Sequence, residues 1–220
     1  MITVVTGAGI SEPSGIPTYR SAGSGWDNKR LEYISHYTRY GNHLDELWEF
    51  WEPLYRQCVD AVPNDAHLAL NRLSCIVLTQ NIDSLHHRAG VRAEELHGSI
   101  FECVCLRCTK LSYTYEVLWE GGRKCAHCNS ERVRPAVTLF GEPLRKPVRE
   151  ALTRAKQSDT VVFIGTSGNV WPVAALADRS NYEGARTILI NKEPWGDFDE
   201  VILGDVTETV PAFVERINNE

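Results

Sequence analysis

Four cysteines stand as two tight pairs, Cys105-x-x-Cys108 and Cys125-x-x-Cys128, with sixteen residues between them. Two turns that each present two thiolates can place four sulfurs at about 2.3 Å around a tetrahedral zinc ion, and a closed four-sulfur shell leaves no position for a substrate. The site therefore reads as structural. Two pairs argue against a redox dithiol, and an odd total of seven cysteines argues against a disulfide framework. Cys103 and His127 sit beside the pairs, but the spacing needs neither. Cys58 and Cys75 read as buried apolar residues. A second kind of chemistry is suggested by Gly7-Ala8-Gly9 and Gly165-Thr166-Ser167, each just after an apolar β-branched run. Small residues there let main-chain N–H groups approach a pyrophosphate. The strict G-x-G-x-x-G pattern is absent because Glu12 takes the last glycine position, so the first loop alone could equally be an ordinary tight turn. Two such strand ends leave room for one extended dinucleotide across a switch point, with Asn191 placed to hold a ribose hydroxyl. A third cluster is Gln80-Asn81-Ile82-Asp83, followed by Leu96-His97-Gly98-Ser99. A lone histidine among seven is more often structural than catalytic, and here only the spacing speaks for chemistry.

These residues need elements to hold them. Continuous apolar runs predict buried strands at Ile2 to Thr6, Cys75 to Thr79, Ala136 to Phe140, Thr160 to Ile164 and Arg186 to Ile190, with a further short one at Val201 and Ile202. Helical spacing predicts helices over Asp27 to Tyr40, Asn42 to Val62, Ala66 to Leu73, Ser84 to Ala89, Val148 to Gln157, Trp171 to Tyr182 and Thr207 to Ile217. Pro63-Asn64-Asp65 punctuates and caps, and Gly90 ends a short helix. Strands alternating with helices predict an α/β fold with a Rossmann-like, parallel, doubly wound sheet. Apolar periodicity fades over residues 101–134, which read as a small inserted zinc-binding module. The expected division is one catalytic domain, with a large subdomain over 1–98 and 135–220 and the small module over 99–134.

At 220 residues, 43% hydrophobic and 24% charged, the chain can bury a sizeable core, which excludes both disorder and a fibre. A net charge of −6 offers no uniform field for phosphate backbones or anionic lipid, so neither nucleic acid nor a membrane is an expected partner. MITVVTGAGIS lacks a basic start and a long apolar stretch, which leads to the expectation of a cytoplasmic protein.

The motifs GAGISEPSGIPTYR (7–20), TQNIDSLHHRAG (79–90), LHGS (96–99), the four cysteines, RPAVTLFGE (134–142), GTSGNVWPVA (165–174) and LIN (189–191) come in the order found in the sirtuins, the NAD-dependent protein lysine deacylases. The chain resembles that family over almost its whole length, and within it the bacterial, class III-like members. The resemblance implies two cofactors, NAD and zinc, with NAD and an acyl-lysine peptide or protein entering a cleft between the domains from opposite sides. It places Gly7, Ala8, Gly9 and Ile10 on the NAD loop, and Gly165, Thr166, Ser167 and Asn191 at phosphate and adenosine. Asn81 and Asp83 fall in the nicotinamide pocket, Arg20 at the diphosphate, and Tyr19 as the flap over the ribose, where phenylalanine is usual. Trp26, Gln80 and Val206 complete the NAD contacts. Trp51, Leu54, Val137, Phe140, Gly141, Glu142 and Val170 would meet the acyl-lysine substrate, whose main chain would pair with strand edges. By the same resemblance His97, Asn81 and Asp83 are catalytic. The acyl oxygen attacks C1′ of the nicotinamide ribose as nicotinamide leaves. His97, an imidazole with an ordinary pKa of about 6.5, then serves as base on the ribose hydroxyls. The products are nicotinamide, free lysine and O-acyl-ADP-ribose.

Several positions depart from the family pattern. Pro17-Thr18-Tyr19-Arg20 resembles the desuccinylase-type group, yet Trp51 and Leu54 stand where that group has the Tyr-x-x-Arg pair that grips a dicarboxylic acyl chain. Tyr55 and Arg56 are adjacent and point about 100° apart on a helix, so the expectation is a preference for uncharged acyl groups. Ser84 replaces the usual glycine after Asn-Ile-Asp, and Ala136 a more polar residue after Arg-Pro. The alternatives are an NAD glycohydrolase or ADP-ribosyltransferase using the same pocket, a non-catalytic NAD or ADP-ribose binding module, and a zinc-stabilised Rossmann-like protein.

Overall fold

The computed structural model describes residues 1–18, 29–120, 122–143, 145–168, 173–176 and 184–220. Strands β1 (Ile2–Thr6), β2 (Ile76–Thr79), β3 (Ala93–Glu95), β7 (Thr160–Ile164), β8 (Arg186–Asn191) and β9 (Glu200–Leu203) form one sheet in the order β3-β2-β1-β7-β8-β9. All its pairings are parallel, as the continuous apolar runs require of strands covered on both faces. Alternation along the strands divides the core. Val4, Val77, Val162, Ile164 and Ile188 face α3 (Asp65–Leu70) and α7 (Val206–Asn219). Val5, Leu78, Val161, Phe163 and Leu189 face α5 (Lys146–Ala155) and α6 (Val173–Leu176).

A second sheet is antiparallel, in the order β5-β4-β6, from β4 (Gly98–Cys105), β5 (Leu111–Tyr113) and β6 (Val133–Val137). The expected strand over Ala136 to Phe140 is thus shifted upstream and belongs to this sheet; Phe140 makes only an isolated bridge to His36. Strands β3 and β4 had no sequence-based expectation. The helix expected over Asp27 to Tyr40 is confined, among the described residues, to α1 (Lys29–Ile34), and Tyr40–Asn42 form a tight turn. Helix α2 (Leu44–Asp60) buries Leu47, Trp48, Trp51, Leu54, Tyr55 and Cys58 on one stripe against the second sheet. The Trp48 indole N–H donates to the Val133 oxygen at 2.9 Å, tying that helix to β6. The short α4 is Leu85–Arg88.

Candidate active site

β1 leads outward to β2 and β3 on one side, and β7 leads to β8 and β9 on the other, so the switch point of the sheet lies between β1 and β7. The two glycine turns meet there. Gly7 N–H donates to Ile164 O at 3.0 Å and Gly9 N–H to Gly165 O at 2.8 Å. A Cβ on Gly9 would stand 2.8 Å from the Gly165 Cα, and Gly165 itself has φ +58°, so only glycine fits this closely packed cradle. The space that side chains would fill here lets a ligand approach the main chain closely, a cradle that fits a dinucleotide pyrophosphate at a switch point. Ile10 offers only main chain, since its side chain is buried in the core beneath the loop. Val206 is likewise buried, at the first turn of α7. Thr166 Oγ1 donates to Gln80 Oε1 at 2.9 Å, and Asn191 Nδ2 reaches the oxygens of Thr166 at 3.4 Å and Glu193 at 2.8 Å. Ser167 is half-buried beside them. Lys192 and Glu12 pair at 2.7 Å across the same strand ends.

The polar cluster after β2 folds back under this cradle. Asn81 Nδ2 donates to Gly7 O at 3.2 Å and to Ser11 Oγ at 2.9 Å. Ser11 also bonds the Asp83 carboxyl, and Asp83 Oδ1 accepts the Leu85 N–H at 2.9 Å. Burial nevertheless raises the Asp83 carboxyl above its ordinary range. Behind Ser11, Asn64 caps α3, and its N–H lies 3.4 Å from His67 Nδ1 while His67 Nε2 lies 3.4 Å from Ser11 Oγ. Burial lowers the His67 imidazole to about 4, so the ring is neutral. Sequence reasoning quoted Ser11 within a motif and gave it no role; a buried serine in a glycine-rich loop carries no distinguishing signal.

His97 sits half-buried between the two sheets. Its Nδ1 lies 2.9 Å from Gln80 O, its own carbonyl accepts the Thr138 N–H at 2.8 Å, and the preceding Leu96 N–H bonds Thr79 O at 2.8 Å. Ser84 keeps the left-handed turn expected of a glycine, with φ +54°, and its hydroxyl donates to Glu95 Oε1 at 2.8 Å. Burial pushes the Glu95 carboxyl up to about 7.

The four cysteine sulfurs lie within 4.8 Å of one another. Sγ–Sγ distances of 3.7 Å for Cys105–Cys128 and Cys108–Cys125 are far beyond a disulfide bond and match the edge, about 3.8 Å, of a tetrahedron with 2.3 Å metal–sulfur bonds. Thr109 and Asn129 follow the two pairs in left-handed conformations, and their N–H groups bond Cys105 O and Cys125 O, each at 2.9 Å. The two turns are thus near copies. This donor set fits zinc. Cys103 faces away, onto Thr114 Oγ1 at 3.3 Å.

A profile of the Sir2 family matches residues 7–172. The chain belongs to the Sir2 family. An NAD-dependent protein deacylase of Thermococcus kodakarensis is 37% identical to this Sir2 chain, the alignment covering 97% of it and 90% of that protein. NAD-dependent protein deacylase 2 of Archaeoglobus fulgidus is 38% identical, covering 97% and 90%. A solved structure described as Sir2 with p53 peptide and NAD+ is 30% identical, with a TM-score of 0.84, and the match covers 100% of this chain and 94% of that one.

Of the residues expected to meet the acyl-lysine substrate, Trp51 and Leu54 are buried at 3% and 8% exposure. Tyr55 packs edge-on against Phe101, while Arg56 points away to pair with Glu52 at 2.7 Å. Glu52 also takes Arg123 at 2.9 Å. Val137 is buried, and Phe140 and Gly141 are exposed at the end of β6. Glu142 turns its carboxylate inward, onto Arg134 and the Leu139 N–H. Tyr19, Arg20, Trp26 and Val170 lie outside the described residues. Among the described residues no helix is long and apolar enough to cross a membrane.

Proposed function

We propose that this Sir2 chain is an NAD-dependent protein lysine deacylase that moves an acyl group from lysine to ADP-ribose and releases nicotinamide. The observation that carries the reading is the fixed imidazole of His97 beside a glycine cradle at the sheet's switch point. A carbonyl only accepts, so Gln80 O requires the proton on Nδ1, and in the neutral form of the imidazole the basic nitrogen is then Nε2. His97 then takes a proton from a ribose hydroxyl of the substrate. NAD, when bound, supplies an electrophilic ribose carbon with nicotinamide as its leaving group. Asn81 and Asp83, buried and held through Ser11, shape the nicotinamide side of the pocket and exclude water there. The main chain of Gly7 to Ile10 and Gly165 to Ser167 holds phosphate, with Gln80 bracing Thr166 and Asn191 bracing the adenosine side.

We assign residues 1–98 and 135–220 to an NAD-binding subdomain and 99–134 to a structural zinc module, with α2 and the end of β6 packing onto the module's sheet. An acyl-lysine peptide enters between them along Phe140 and Gly141, with its acyl chain toward Trp51 and Leu54. Names of relatives support the activity, and the peptide complex of a relative supports the substrate class. The test is mass spectrometry of the purified protein with NAD and an acetyl-lysine peptide, beside a control without peptide. O-acetyl-ADP-ribose and free lysine are expected only with both substrates. Equal nicotinamide release without peptide would instead make it an NAD glycohydrolase.

A further inference from the structure

We propose that the Arg134–Glu142 ion pair is a positioning device that holds the acyl-lysine docking turn in register with His97. The proposal rests on the deacylase reading. Arg134 leaves β6 with 8% of its surface exposed, and its Nη2 donates to Glu142 Oε1 at 2.7 Å. Its Nη1 donates to Val137 O at 2.7 Å and Pro135 O at 3.2 Å, and its guanidinium lies 5.1 Å from the Tyr40 ring centre. Glu142 Oε2 accepts the Leu139 N–H at 2.8 Å, while the Glu142 N–H closes a four-residue turn onto Leu139 O at 3.0 Å. Gly141 takes the third position of that turn with φ +74°, the conformation such a turn demands.

The clamp therefore grips the chain on both sides of residue 138, at the Val137 carbonyl directly and at the Leu139 amide through Glu142. Thr138 is the residue whose N–H holds the His97 carbonyl at 2.8 Å. One rigid unit thus carries the main-chain anchor of His97 at one end and the exposed Phe140–Gly141 edge at the other. Phe140 is fixed in turn by Ser35 and Tyr37, with its N–H on Ser35 O at 3.1 Å and its carbonyl accepting the Tyr37 N–H at 2.8 Å. Both Glu142 carboxylate oxygens are engaged inward, so Glu142 acts on the substrate through the turn it holds. The planar fork of arginine serves two backbone carbonyls and one carboxylate at once, a geometry that lysine cannot reproduce.

The test compares Glu142→Gln, Glu142→Asp and Arg134→Lys with the wild type in steady-state assays that vary NAD and an acetyl-lysine peptide separately, with a melting curve for each protein. For Glu142→Gln the peptide KM is expected to rise about tenfold, the loss of one charge-assisted hydrogen bond, with kcat and the NAD KM moving less than about twofold. Glu142→Asp, which keeps the charge, is expected to recover part of the loss, and Arg134→Lys to fall between. An unchanged peptide KM overturns the proposal. So does a parallel loss toward both substrates that tracks the fall in melting temperature. If Glu142→Gln does not fold, the peptide-against-NAD split in Arg134→Lys decides on the same terms. A wild type that frees no lysine from acylated peptide fails the deacylase reading itself, before any variant is compared.

Discussion

The Nδ1 of His97 and the main-chain oxygen of Gln80 lie 2.9 Å apart, and the same Gln80 holds Thr166 through its side chain and Thr6 through its N–H. The imidazole tautomer is thus set by a residue that also joins β1, β2 and the second glycine turn. Replacing His97 by Ala removes the proposed base without removing the frame. Deacetylation should fall by about 10²–10⁴-fold, the range for loss of a general base, while NAD affinity by calorimetry stays within about threefold. A residual rate within tenfold of wild type would place the base elsewhere.

Acyl selectivity should follow from α2. Trp51 and Leu54 close the expected acyl end with apolar surface, and Arg56, the nearest cation on that stretch, is committed to Glu52 on the exposed side. Glu52 keeps its charge because Arg56 and Arg123 both hold it below the ordinary carboxylate range, and both guanidinium groups are thereby committed to Glu52. We expect kcat/KM for an acetyl-lysine peptide to exceed that for the succinyl peptide by more than about tenfold, about 1.4 kcal/mol in transition-state binding. Faster turnover of succinyl-lysine would refute this.

Zinc removal should loosen a whole interface. Cys105 and Cys125 are packed in the same core cluster as Trp48, Trp51 and Ile100, so the four-cysteine site and α2, the helix proposed to face the acyl chain, share one packing unit. Apparent zinc energies near 10 kcal/mol in small modules rival the stability of a domain. A chelator, or Cys108→Ser, should therefore red-shift tryptophan fluorescence and lower the melting temperature together with activity, with zinc restoring the chelated protein. Full activity in metal-free protein would contradict the structural role.

How much was legible follows from where each signal originates. Ile2–Thr6 and Thr160–Ile164 are covered on both faces and so read as unbroken apolar runs. Ala93–Glu95 is a three-residue edge strand with two acids and shows no pattern at all. The expected strand starts at Ala136, just after Pro135, yet Pro135 lies inside β6, which a proline tolerates because β6 is an edge of its sheet. The zinc site was legible because its ligands are paired locally. Ser11 with Asp83, Ser84 with Glu95, and Arg134 with Glu142 were not, because each acquires meaning only from a partner that folding brings close.

Glu95 should make stability fall as pH rises. Its folded-state value of about 7 lies above the unfolded 4.5, so the folded chain holds an extra proton between those values, and this contribution is lost as pH climbs through 7. Exposed His87 Nε2 lies 3.8 Å from Glu95 Oε1, beyond hydrogen-bond reach, so the one side-chain hydrogen bond to this carboxylate among the described residues comes from Ser84. Glu95→Gln should match wild type near pH 4.5 and exceed it at pH 8 by up to about 3 kcal/mol in denaturant titrations. Identical pH profiles for the two proteins would show that Glu95 titrates normally.

Ser11→Ala tests the layer beneath the NAD loop. The hydroxyl is fully buried and serves three neighbours: it accepts from Asn81, bonds Asp83, and faces His67 Nε2. His67 accepts the Asn64 N–H at Nδ1, so its remaining proton lies on Nε2 and points at this oxygen. Removing the hydroxyl leaves buried donors unpaired at a cost of about 1–3 kcal/mol, with an unchanged denaturant slope. It also frees Asn81 to shift, since among the described residues the 3.2 Å bond to Gly7 O is what then holds its amide nitrogen. Nicotinamide release should slow and the NAD KM should rise, whereas Glu12→Gln, which removes only the half-exposed pair with Lys192, should leave stability within about 1 kcal/mol. A Ser11→Ala protein as stable and as active as wild type would mean that Asn81 and Asp83 are held by some other contact.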